Sequence, residues 1–229
     1  MMFNDRYGLT NAVLDGTKTT TRRLEKCIQH IPTDLKIVRV DIYGYDTEDA
    51  PRYCEAVTED KQGNWMWYKF RPYIPMNEEV AVAMSYQTIY NKNLGDLHPE
   101  LIGQWIHKLV SMVGKDLEKC MGWGNKQSVR PDLMPYRIFI DNIRLEHLQD
   151  ITDEDCMREG IKEYPQAGGY GSYYGYFDHK TNTTYLSETP RKAYAELIDR
   201  ISGKGTWESN PLVLVYDFHS LGKVDKFTL

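Results

Sequence analysis

Long apolar runs are missing from this 229-residue chain. The densest, Val80 to Met84 and Leu212 to Tyr216, fall far short of the ~20 residues that a membrane-spanning helix needs. The opening residues Met1-Met2-Phe3-Asn4-Asp5-Arg6 lack the apolar core of a secretory leader. The expectation is a cytoplasmic protein with no membrane partner. Cysteine is scarce too: Cys27, Cys54, Cys120 and Cys156 are scattered, with no C-x-x-C pair and no histidine at metal-ligand spacing. They read as free or buried thiols, and neither a metal nor a cofactor is expected. Basic charge is in deficit, with 28 Lys and Arg against 33 Asp and Glu and a formal net charge of −5. Affinity for long nucleic acid rests largely on neutralising phosphates, so no long DNA partner is expected. A small or local anionic ligand fits better. Internal repeats and low-complexity tracts are absent as well.

What is present is the balance of a folded protein, 41% hydrophobic and 27% charged. Its length suits one domain over residues 1–229 carrying an elaboration. Leu9 to Asp15 reads as a short helix closed by Gly16. Val38, Val40 and Ile42 alternate with Arg39 and Asp41, followed by Cys54 to Val57 and the aromatic run Trp65 to Phe70; these predict successive antiparallel strands. Further strands are predicted from Val80 to about Ile89, from Tyr136 to Ile143 and from Leu212 to Phe218, the last apolar on both faces as a central strand should be. From His98 to Cys120 the period turns helical, with Ile102, Ile106, Leu109, Val113 and Leu117 on one face, and residues 90–130 read as a helical insertion. Thr152-Asp153-Glu154-Asp155 and Thr189-Pro190 open two more helices, ending at Gly160 and Gly203. Strands interrupted by single helices predict an α+β fold, a small mixed or antiparallel β-barrel with flanking helices.

Two stretches carry candidate chemistry. Lys18, Arg22, Arg23 and Lys26 place four cations in nine residues against the single acid Glu25. In an acidic chain that suggests a local anion or carbonyl site, although a solvated basic edge strand has the same composition. Ala167 to Tyr185 sets Tyr170, Tyr173, Tyr174, Tyr176 and Phe177 among glycines. This reads as an aromatic loop or hairpin, either packed or available for stacking on a base.

Leu14-Asp15-Gly16-Thr17-Lys18-Thr19-Thr20-Thr21-Arg22-Arg23 resembles the G-x-K-T-x-T-x-R signature of the ASCH domains. Leu148 to Asp155, running on to Glu159-Gly160-Ile161, resembles that family's strand-to-helix segment. Gly205-Thr206-Trp207 with Asn210-Pro211 resembles the lead into its last strand. The resemblance implies a PUA-like β-barrel and a nucleoside or short RNA ligand. Small bacterial members are amidohydrolases that deacetylate 4-acetylcytidine with a lysine, a threonine and a glutamate. Laid on this sequence, those positions are Lys18, Thr21 and Glu159, with Arg23 as the closing arginine of the motif. Amide hydrolysis needs a nucleophile, a base, an acid for the leaving amine and donors for the oxyanion. Thr21 would serve as nucleophile, Lys18 as a base with lowered pKa, and Glu159 as proton carrier or orienting group. Arg22 and Arg23, with Tyr173 and Tyr174 for stacking, are the candidate ligand-binding residues. A non-catalytic RNA-binding module is the alternative that the same residues allow. In a regular strand Lys18 and Thr21 would point to opposite faces, so a shared site requires a turn near Gly16.

Overall fold

The computed structural model describes residues 1–43, 53–93, 97–113, 116–168 and 171–224. Along the chain, α1 (Leu9–Leu14) leads into β1 (Thr20–Arg23). Strands β2 (Lys36–Tyr43), β3 (Tyr53–Glu59) and β4 (Trp65–Phe70) then form a meander. After β5 (Glu79–Ala81) come the short helices and turns that include α2 (Tyr86–Thr88), then α3 (Pro99–Val113) and β6 (Tyr136–His147). The chain closes with α4 (Asp153–Arg158), β7 (Lys162–Pro165), β8 (Ser172–Asp178), β9 (Thr183–Ser187), α5 (Pro190–Ser202), α6 (Thr206–Ser209) and β10 (Leu212–Lys223).

The fold is α+β, with three antiparallel sheets ordered β1-β10-β6-β5, β2-β3-β4 and β7-β8-β9. Leu212 to Tyr216 are all buried, because β10 is paired on both edges and covered on both faces. The expected single closed barrel is not formed among the described residues. Strand β5 pairs only with Arg137 to Phe139 of β6. From Asn142 to His147, β6 has β10 on one side and no paired strand on the other among the described residues. Strand β2 lies beside that open edge across a groove of about 490 Å³, so hydrogen bonding stops where a barrel would close.

Two other expectations are revised. The strand predicted from Val80 to about Ile89 ends at Ala81, since the Ser85 hydroxyl accepts from the Thr88 amide and caps a helical turn. The helix predicted over 98–120 runs from Pro99 to Val113, with Leu117–Lys119 in a separate 3₁₀ turn. It lies outside the sheets, yet Trp105 and Leu109 are fully buried and the Trp105 indole donates to the Leu133 carbonyl at 2.9 Å. Burying about 200 Å² of indole contributes at most about 5 kcal/mol. The insertion is therefore part of the core. The aromatic stretch forms the β8–β9 hairpin with β7 added to its edge; Tyr170 lies outside the described residues.

Candidate functional site

Helix α1 is capped by Asp15, and Gly16 after it turns the chain with a φ of +79° that suits glycine. Asp15 accepts from the Thr17 amide and hydroxyl, and the Lys18 amide donates back to Ala12 at 2.8 Å. Lys18 thus lies in a turn ahead of β1, and strict strand alternation does not apply to it. Its side chain is 1% exposed, and Nζ donates to the Thr20 carbonyl (2.8 Å), the Glu159 carbonyl (2.8 Å) and Glu159 Oε2 (2.5 Å). Three ammonium hydrogens meet three acceptors. Burial pulls the Lys18 pKa below its ordinary value, while Glu159 pulls the other way.

Glu159 follows the last turn of α4, and Gly160 after it has φ +105°. A Cβ at Gly160 would lie 3.0 Å from Leu9 and 3.9 Å from the Lys18 stem. The second carboxylate oxygen of Glu159 accepts from Arg22 at 3.3 Å. Arg22 also bonds Glu146 (2.5 Å) and Asp155 (2.8 Å). Arg144 and Arg158 extend the cluster, each pairing with Asp155 and Asp217. Four cations therefore meet four carboxylates, and this lattice is charge-balanced. Burial pushes the Asp155 pKa up, but Arg22 and Arg144 outweigh it and hold it below the ordinary aspartate value.

Lys18, Thr21, Arg23 and Glu159 all line one cavity of about 1030 Å³ beside β1, an edge strand of the main sheet. Thr21 is buried, and among the described residues its hydroxyl makes no hydrogen bond. Arg23 donates to the Met2 carbonyl at 2.6 Å and lies 5.7 Å from the Phe3 ring, while its buried Nε has no partner. Arg22 departs from its expected ligand-binding role: its side chain is 0% exposed and bound by three carboxylates. Tyr173 and Tyr174 are not brought to the cavity either. They belong to β8 in a separate sheet, Tyr173 exposed and Tyr174 half-buried against the core.

Tyr194 of α5, which nothing in the sequence marks as a site residue, also lines the cavity. It is 3% exposed, and its hydroxyl makes no hydrogen bond among the described residues. Burial, then the nearby Glu159 charge, raises its pKa well above the usual phenol value, so it stays a proton donor. The carboxylates of Asp155 and Glu159 were missed as a pair, although their i,i+4 spacing puts them on one helical side. On the cavity's other wall Glu25 accepts from the Tyr216 hydroxyl (2.5 Å) and the Tyr73 amide (2.9 Å). Burial and Glu25 push the Cys27 thiol up to about 12, which removes it as a nucleophile near neutral pH. No group of three or more His, Cys, Asp or Glu among the described residues could hold a metal, and no helix there is long and apolar enough to cross a membrane. No family model, curated protein or solved structure matches the chain.

Proposed function

We propose that the chain is an ASCH-type amidohydrolase, a PUA-like fold opened between β2 and β6, that removes an acyl group from a modified cytidine. One observation carries this reading: a buried Lys18–Glu159 pair lines the same cavity as a Thr21 hydroxyl that has no hydrogen-bond partner among the described residues. Desolvation makes the neutral form of Lys18 accessible, and Glu159 at 2.5 Å can take the ammonium proton. Neutral Lys18 then accepts the Thr21 proton as Oγ1 attacks the acyl carbon. Tyr194, which lines the same cavity, is a donor available to the oxyanion. Lys18 returns the proton to the departing cytosine amine, leaving an acyl ester on Thr21. Water, deprotonated by the same pair, hydrolyses that ester and restores the hydroxyl.

The test is incubation with 4-acetylcytidine, following cytidine and acetate by chromatography. Lys18→Met and Glu159→Gln should each lower kcat by about 10²-fold or more, with folding checked by circular dichroism. Thr21→Ala should abolish turnover and Thr21→Ser retain part of it. No turnover of any acylated cytidine, together with salt-sensitive RNA binding, would instead favour a non-catalytic RNA-binding module.

A further inference from the structure

We propose that the ligand of this cavity carries a phosphate monoester, seated among Arg23, Lys26 and Arg71. This rests on the reading of the cavity as a nucleoside site and specifies its substrate as a mononucleotide. The chain has a net charge of −5, yet the side chains lining the cavity include six cations and three carboxylates. Half of those cations are already paired: Lys18 with Glu159, Arg22 with three acids, and Lys126 with Asp5 at 2.7 Å. Among the carboxylates, Glu79 is paired with Arg137 at 3.2 Å. Arg23, Lys26 and Arg71 form no ion pair with a carboxylate among the described residues, although the charges of Glu25 and Glu159 act on Arg23 from nearby.

Glu25 is the acid that remains near them. Its oxygens are occupied by the Tyr216 hydroxyl, the Tyr73 amide and the Cys27 thiol, so it fixes the wall. The Lys18–Glu159 end of the cavity belongs to a charge-balanced lattice and suits a neutral base. The unpaired cations suit an anion with several acceptor oxygens. A nucleoside phosphate has both parts in one molecule.

Titration calorimetry of the full chain with cytidine and with cytidine 5′-monophosphate tests this directly. The monophosphate should bind about tenfold tighter or better. That preference should shrink several-fold in Lys26→Gln and in Arg71→Gln, both exposed positions, and vanish in the double variant. It should also fall as salt rises from about 50 to about 300 mM, and persist in Lys162→Gln on β7. Equal affinities, or a preference that the double variant leaves intact, would overturn the proposal. So would tight binding of oligoribonucleotides without any preference for the monophosphate. Binding is read without turnover, so loss of the hydrolase reading leaves this test valid. Conversely, turnover of 4-acetylcytidine and its 5′-monophosphate at equal kcat/KM by a chain that binds cytidine and its monophosphate equally sinks the phosphate site alone.

Discussion

Glu159 sits just past the end of α4, where the helix carbonyls disfavour an anion. What keeps it there is a pair of cations from the N-terminal segment, Lys18 and Arg22. The carboxylate is fully engaged, and so is the ammonium. The unengaged polar groups along the cavity are therefore the informative ones for ligand binding, and Tyr194 is the most buried of the aromatic ones. Its ring is fixed edge-on to Trp207 at 6.3 Å, so the hydroxyl is held in place without a partner. Tyr194→Phe removes a donor that makes no internal bond and should change stability by less than about 1 kcal/mol. Affinity for 4-acetylcytidine should fall about tenfold. Urea denaturation and titration calorimetry on the same variant check both halves; a large stability loss with unchanged affinity would make Tyr194 a packing residue only.

Elements set by local signals were legible in the sequence. Helices α4 and α5 start at Thr152 and Thr189, whose hydroxyls accept from the amides three residues on. Strand β10 was readable from its two-sided apolarity. What could not be read was anything decided by distant pairing. Arg22 finds Glu146 and Asp155 at separations of 124 and 133 residues, so a cation that looked free for a ligand is structural. Likewise, nothing local in β2 or β6 says that they stop short of pairing. The glycine-rich aromatic stretch was ambiguous between loop and hairpin, and Gly175 shows why it pairs. A Cβ there would lie 1.9 Å from the Tyr185 carbonyl oxygen, so only glycine lets β8 and β9 approach in this register. Gly175→Ala should cost about 1–3 kcal/mol or more and weaken amide protection in 172–187 under hydrogen exchange. Unchanged protection there would mean the strands can shift apart freely.

Across the whole molecule, charge is sorted by place. The chain as a whole is acidic, the cavity lining is rich in cations, and at one end of the cavity is the lattice of Lys18, Arg22, Arg144 and Arg158 with Glu146, Asp155, Glu159 and Asp217. Sequence charge counts cannot show this sorting, since it joins β1, β6, β10 and the α4 region from opposite ends of the chain. Its consequence is a defined acid response. Asp155 contacts Arg22, Arg144 and Arg158, and its folded pKa lies below the ordinary 3.8. A depressed carboxylate stabilises the fold above its unfolded pKa and loses that contribution as pH falls through the folded value. At neutral pH, Asp155→Asn should be less stable than the natural chain by about 1–3 kcal/mol, since Arg22 keeps Glu146 and Glu159 as partners. As the pH falls below about 3.8 the unfolded chain takes up the proton first, and as it falls on through the lower folded value the natural Asp155 becomes, like asparagine, a neutral side chain. The two stability curves should therefore converge on the acid side, where chemical denaturation at a series of pH values would follow them. A gap that stays constant from neutral pH down to about 2 would show that Asp155 acts through shape and hydrogen bonding, and that its charge does not hold the lattice together.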